Sequence, residues 1–509
     1  MASKLFRRKP LHVLLDELHG ENRLRRILGP VTLTSLGVGA IIGTGIFVLT
    51  GVTAHDKTGP ALILSFCVAG ITCLFAAFCY AEFASMVPVA GSAYTYAYAT
   101  LGELFAWIIG WDLVLEYAVA SATVAHGWSH YFQDFISIFK LHIPKVIGWA
   151  PWKLDTVSGK ISASGSWIDL PAIIITALVT VILVKGIRET ATFNASMVIL
   201  KLAIVIFVIV LGAFYVNPKN WHPFAPFGFT GISFFGKTLF GKSMGGAPVG
   251  MLAGAAISFF AYIGFDSIST HAEEAKRPHK DVPIAIISSL VICTVLYILV
   301  SAVLTGMVPY DQIDKNAPVS QAFKQVGLGW AQFLVSLGAL AGITSVLVVM
   351  MLSQPRVLLA IARDGLLPPS FFGAVHEKFR TPWKSTILTG FFVALLAAVL
   401  PLELLAELVN IGTLFAFVVV CAAVLIMRKT HPEAERPFRV PFFPVIPILG
   451  VFCCLVLMFS LPPANWLRLF VWLFVGLLIY VFYGRKHSIM EKMKGTEAAK
   501  DTVIPSQKV

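Results

Sequence analysis

The chain reads as an all-α polytopic membrane protein of twelve transmembrane helices, and three observations point there. Hydrophobic residues make up 57% of the 509 residues against 13% charged, with a mean hydropathy of +0.82, far from a soluble globular composition. Many apolar stretches exceed the ~18 to 20 residues that cross a hydrocarbon core, and none shows the period-two pattern of a membrane barrel. Two of these stretches are interrupted in their middles by glycines and hydroxyls, five spans apart. Interruptions at corresponding positions of two halves are the mark of an inverted-repeat transporter.

Apolar runs between charged and proline-bearing breaks place the spans near 32–54, 60–83, 97–125, 167–185, 191–216, 250–272, 283–308, 331–362, 384–400, 402–427, 443–462 and 465–484. The stretch 331–362 is too long for one perpendicular crossing, so it tilts or continues past the surface. The domain reading is a segment 1–30, a first repeat of helices 1–5 over 31–216, a second of helices 6–10 over 250–427, two additional C-terminal helices over 443–484 and a tail 485–509. With both termini cytoplasmic, 27 Lys and Arg fall inside, 11 outside and one, Lys201, within a span, which accounts for all 39. That asymmetry is the one expected of cytoplasmic loops. The net charge of +12 therefore reads as topology and contact with anionic lipid, and not as a nucleic-acid footprint.

All seven cysteines lie inside spans as small buried residues, without disulfide or metal spacing. The polar, basic first thirty residues do not read as a cleavable signal. Within them, Leu11 to Leu28 has apolar residues at helical spacing beside Arg23, Arg25 and Arg26, as a helix lying on the inner leaflet would. His126 and His130 are expected at the outer surface.

The first break is GAIIGTGIF, Gly39 to Phe47, and the second is ISFFAYIGFDSIST, Ile257 to Thr270. Unwinding a helix at mid-membrane frees backbone N–H and C=O groups, which are tolerated where they line a cavity or hold a ligand. A free amino acid needs donors for its carboxylate and acceptors for its ammonium. The half-helix after the first break turns its N-terminal dipole inward, which makes Thr44 and Gly45 candidates for the carboxylate. Carbonyls of Ile41, Phe260, Ala261 and Ile263 are candidates for the ammonium. For Gly43 and Gly45 the alternative is close helix packing; for Phe260 it is a place in the core, against a gating role over the substrate.

Four motifs in order carry a family resemblance: GAIIGTGIF, FFAYIGFDSISTHAEEAKRPHKDVPIAI (Phe259 to Ile286), SQPRVLLAIARDGLLP (Ser353 to Pro368) and FYGRKHS (Phe482 to Ser488). Over about residues 30 to 485 the chain resembles the bacterial cationic amino acid transporter family of the amino acid, polyamine and organocation superfamily. The resemblance implies the LeuT-like inverted-repeat fold also seen in sodium-coupled amino acid symporters, and proton-coupled uptake. It implies the same substrate positions around the two breaks.

Lys201 lies ~15 Å along its helix from Ala191, too deep to snorkel, so it pairs, faces a wet cavity or sheds its proton part of the time. In related proton-coupled transporters a lysine of the fifth span stands where sodium sits in the sodium-coupled ones. That carry-over makes Lys201 the proton-coupling group, reaching carbonyls near Gly39 to Ile42 and the hydroxyls of Thr344 and Ser345. No sodium, metal or cofactor is expected. The alternative is a structural cation joining spans 1, 5 and 8.

Asp112 and Glu116 share one face of the third span. Glu116 is a candidate for substrate contact and Asp112 for pairing with a basic residue nearer the cytoplasm. The resemblance implies that Met350 trims the far end of the pocket, which favours small or medium neutral amino acids such as alanine over arginine. Asp266, His271, Glu273, Glu274, Lys276, Arg277 and Lys280 read as solvated charges or as a cytoplasmic ion-pair cluster, and Arg356 and Arg363 as interfacial. No nucleophile motif or metal cluster argues for an enzyme, and polar positions gathered at one depth argue against a channel. Proton symport, amino acid exchange and a non-transporting amino acid sensor remain as readings, with lipid and an unknown small membrane protein as partners.

Overall fold

A computed structural model of the chain describes residue 9 and residues 28–490, apart from 88, 90, 155–160, 186–189, 235–236, 245–246 and 380. The amphipathic segment expected over Leu11–Leu28 lies, but for Leu28, outside the described residues, as does the tail beyond 490.

The first span is α1, Pro30–Ile41, followed after a break by an outer half-helix through residue 58; then come α2, Leu62–Met86, and α3, Glu103–Ile138. Next are α4, Leu170–Lys185; α5, Thr190–Ala213; α6, Met251–Ser258; α7, Pro278–Met307; and α8, Gly329–Arg363. The last are α9, Trp383–Val399; α10, Leu402–Thr430; α11, Val445–Phe459; and α12, Pro463–Ile479. Eight stretches of the described residues are long and apolar enough to cross a membrane, and four shorter apolar helices stand among them. The protein is a multi-pass helical membrane protein.

Helix starts follow proline chemistry: Pro30, Pro278 and Pro463 each occupy a first turn, where the missing N–H has no helical partner to lose. Large apolar side chains of α12, such as Phe470, Phe474 and Leu478, are exposed outward, as a lipid-facing surface requires.

One expectation is corrected. The third span does not end at 125: α3 runs on to Ile138, so His126 and His130 are buried at 4% and 7% exposure instead of lying at the surface. Their neighbours explain it: His126 Nδ1 meets Asp169 Oδ2 at 2.5 Å, and Asp169 also accepts from Ser129 Oγ at 2.6 Å and caps the start of α4 through Ala172 N–H at 3.1 Å. The long connections after α3 and α5 carry three short antiparallel hairpins, Trp152–Leu154 with Ile161–Ala163, Ile232–Phe234 with Lys237–Phe240, and Lys242–Met244 with Ala247–Val249.

The helix packing has a period of five. The two largest interfaces join α3 to α8 and α2 to α7, and α4 lies on α9 likewise. Other interfaces recur five helices on: α7 against α1 answers α2 against α6, and α5 against α8 answers α10 against α3. Because five is odd, α3 and α8, α2 and α7, and α4 and α9 run across the membrane in opposite directions.

Candidate functional site

In the first break, Ile42 leaves the helical region with ψ 103°. Its N–H still donates to Val38 O at 3.1 Å, and the ladder restarts where Ile46 and Phe47 both donate to Gly43 O at 3.2 Å. The N–H groups of Gly43, Thr44 and Gly45 thus open the outer half-helix. In the second break α6 tightens over Phe259–Tyr262, Ile263 takes ψ 133° and Gly264 takes φ +122°, a conformation costly for any side-chain-bearing residue. Helical turns resume at Ser267–Thr270.

Glycines let the two breaks meet. A Cβ on Gly45 would lie 2.3 Å from Ala261 Cα, and one on Gly43 would lie 2.7 Å from Val346 Cγ2 of α8. On Gly264 it would lie 2.9 Å from Ala40 O and 3.0 Å from Met350 Cε, so Met350 reaches the second break. The structure thereby brings Ile41, Gly43, Thr44, Gly45, Phe260, Ala261, Ile263 and Met350 into one neighbourhood. Their exposures do not exceed 5% among those with side chains, and both glycines are buried. The neighbourhood is closed to both faces.

Tyr297 of α7 is the residue that sequence reasoning missed. Its hydroxyl lies 2.9 Å from both Ile41 O and Ala261 O, joining the two breaks through one side chain. The fully buried ring packs against Tyr262 at 5.3 Å and Phe66 at 5.4 Å between centroids. A carbonyl has a second lone pair, so both oxygens keep capacity for another donor. Tyr297→Phe keeps the ring and removes the bridge. A stability loss of roughly 0.5–1.5 kcal/mol is expected, seen as a lower melting temperature in detergent; an unchanged one would count against the bridge. Asn410 of α10 was missed as well: its amide donates to Ala256 O at 2.9 Å and Ile257 O at 3.2 Å, just before the second break. A lone asparagine in LVNIGTLF was the signal available for it.

Lys201, fully buried in α5, donates from Nζ to Gly39 O at 2.5 Å and Ile42 O at 3.1 Å. The lysine thus occupies carbonyls released by the first break, while Gly342 of α8 leaves room for its stem, 3.2 Å from where a Cβ would sit. Thr344 stands on the same helix, but its hydroxyl donates to Leu340 O at 2.7 Å and accepts from Trp128 Nε1 at 3.0 Å. Ser345 is buried beside it.

Charges on the inner side of the breaks depart from the sequence reading. Asp266 is not a solvated charge: at 1% exposure it accepts Tyr117 OH at 2.6 Å and Gly264 N–H at 3.2 Å, and so holds the second break. His271 is buried too. Glu274 pairs with Arg356 of α8 at 3.1 Å and Arg277 with Asp281 at 3.4 Å. Glu116 and Asp112 are buried on α3, with Glu116 Oε1 and both Asp112 oxygens lacking a hydrogen-bond partner. Among the described residues no basic partner stands against Asp112; its carboxylate lies against Gly412 of α10. Thr44 Oγ1 and Ser258 Oγ are likewise buried without partners. Among the described residues no group of three His, Cys, Asp or Glu has metal-holding geometry.

The chain's residues 28–483 match the family described as amino acid permease. It is 46% identical over 490 residues to a methylthioribose transporter of Bacillus subtilis, covering 96% of this chain and all of the relative. It is also 46% identical over 489 residues to a branched-chain amino acid permease of the same organism, covering 96% of this chain and 99% of the relative. Human cationic amino acid transporter 4 is 37% identical over 446 residues, 86% of this chain and 64% of the relative. A match across the whole membrane part, together with helices broken at facing positions, assigns the chain to the amino acid permease family of membrane transporters.

Proposed function

We propose that the protein is a secondary active transporter that carries an amino acid across the cell membrane by proton-coupled symport, with both termini cytoplasmic. The observation that carries this reading is the pair of apposed breaks with Lys201 Nζ on the carbonyls of Gly39 and Ile42. The period-five packing supports an inverted repeat of helices 1–5 and 6–10, with α11 and α12 outside it. Two such halves rocking about a shared central site give alternating access.

The substrate carboxylate is assigned to the N–H groups of Thr44 and Gly45, where the half-helix dipole favours an anion. The ammonium falls to the carbonyls of Ile41, Phe260, Ala261 and Ile263, with Glu116 as a further acceptor. An ammonium tethered on Lys201 supplies the positive charge that a sodium ion would otherwise bring, which makes the proton the coupling ion. Phe260, beside the break, covers the bound molecule.

Met350, packed 3.0 Å from where a Gly264 Cβ would be, shortens the pocket and favours small or medium neutral amino acids. Met350→Ser is expected to widen the range towards long side chains such as arginine, with competition by a panel of amino acids as the measurement. An unchanged preference would remove Met350 from the pocket. A second reading of the substrate comes from the relative named as a methylthioribose transporter, as similar to this chain as the branched-chain permease.

Purified protein in proteoliposomes, given an imposed pH gradient and labelled alanine, leucine, arginine or methylthioribose, tests the whole reading. Alanine or leucine uptake driven by inward protons is expected. Uptake stimulated only by internal amino acid would make the protein an exchanger, and uptake of methylthioribose alone would replace the substrate.

A further inference from the structure

We propose that a cavity at the outer end of α3, remote from both helix breaks, is a binding site for a small organic cation of the alkylammonium class. The cavity measures about 340 Å³. Its walls are the last turns of α3 with His130 and Asp134, the following connection with His142 and Trp149, and the connection between α7 and α8 with Asp314 and Asn316. The ends of α3 and α7 follow three and seven crossings, so both connections lie on the face opposite the start of α1.

Among the described residues the wall carries two carboxylates and neither lysine nor arginine. Asp134, 8% exposed, accepts from Ser320 and Ser336 at 2.7 Å each, from Gln321, and from Gln332 at 3.4 Å. All four donors are neutral, and among the described residues no ion pair to Asp134 is formed. Asp314 accepts the N–H groups of Asn316 and Ala317 at 2.8 Å each, again from neutral donors.

His130 is an independent pointer to a ligand. It lines the cavity at 7% exposure, and neither ring nitrogen has a hydrogen-bond partner. A neutral imidazole offers one bare acceptor nitrogen to a ligand N–H. Its ring is held between His126 at 4.7 Å and Trp149 at 4.8 Å, and Trp149 adds an aromatic face suited to a cation. Two carboxylates without an ion pair among the described residues, an imidazole whose nitrogens have no hydrogen-bond partner and an indole favour a positively charged donor over an anion. A divalent metal fits less well, since no three ligating groups converge among the described residues.

The cavity also touches the moving parts of the reading above. The short helix Pro318–Gln325 begins at the Asp314 turn and packs on the outer half-helix of span 1, where a Cβ on Gly51 would lie 2.3 Å from Asp314 O. A cation bridging Asp314 and α3 ties that half-helix to α3 and slows outward opening. This consequence rests on the proposed transport, whereas the binding itself does not.

Titration calorimetry of full-length protein in nanodiscs at pH 8, with n-butylammonium chloride as the probe, tests the site. Saturable binding to the wild type is expected, with none for butan-1-ol or butyrate. Asn316 is exposed on the cavity wall, so Asn316→Asp should tighten binding on the order of two- to fivefold, the range of a partly exposed ion pair, and Asn316→Lys should abolish it. No saturable butylammonium heat, equal affinity in both variants, or saturable binding of zinc chloride in its place would overturn the proposal. A transport assay that fails while calorimetry follows this pattern would sink the transport reading and leave the cation site standing.

Discussion

Lys201→Met is expected to abolish uptake driven by a pH gradient while counterflow exchange of the same substrate persists. The ammonium donates to two carbonyls at the first break, one in the last turn of α1 and one just past it, and methionine keeps the length of the stem but not the charge. Hydrogen bonds to charged groups contribute about 1.5–3 kcal/mol each, so the first break loses a stabilising cation and, under the proposed symport, the proton loses its carrier. A fall of tenfold or more in the initial gradient-driven rate is expected, measured in proteoliposomes. Counterflow separates the roles. A structural cation would take both activities down together, and gradient-driven uptake at the wild-type rate would remove Lys201 from coupling altogether.

Gly45→Ala should be strongly damaging, because it forces the two breaks apart. The added carbon would stand 2.3 Å from Ala261 Cα and 2.5 Å from Ala261 Cβ, and backbone cannot swing aside as a side-chain tip can. Overpacking of this kind costs about 1–3 kcal/mol, and here the relief is a separation of the two breaks on which the site depends. A lowered melting temperature with loss of transport is expected. Gly329→Ala, where nothing lies within 4 Å of the new carbon, is the control and should match the wild type in both. A Gly45→Ala protein with normal stability and uptake would mean that the breaks are not apposed during transport.

Much of the fold was legible because hydrocarbon imposes two simple demands. Spans must be long and apolar, and backbone polar groups must be satisfied. The breaks announced themselves as glycines and hydroxyls where leucine and valine were due, and Lys201 as a charge in mid-span. Boundaries were less legible where polar side chains satisfy one another: His126, Ser129 and Asp169 look like a loop in sequence because their partners are 43 and 40 residues apart.

Side chains serving the breaks from other helices were hidden for a related reason. Tyr297 sits 256 residues from Ile41 and 36 from Ala261, and a buried tyrosine in an apolar run has no local mark that tells a bridge from core packing. Asp266 carried a mark that pointed elsewhere, since a carboxylate next to a run of cytoplasmic charges reads as one of them until Tyr117 is seen to donate to it.

The sequence by itself determined that this chain is a bundle of membrane helices with two interruptions and one lysine within a span, because composition and spacing are properties of the chain. Tertiary structure alone decided that one tyrosine joins both breaks, and that two carboxylates and a histidine without a hydrogen-bond partner share an outer cavity. Those are facts of distance between segments hundreds of residues apart, and helix packing, not local pattern, sets such distances.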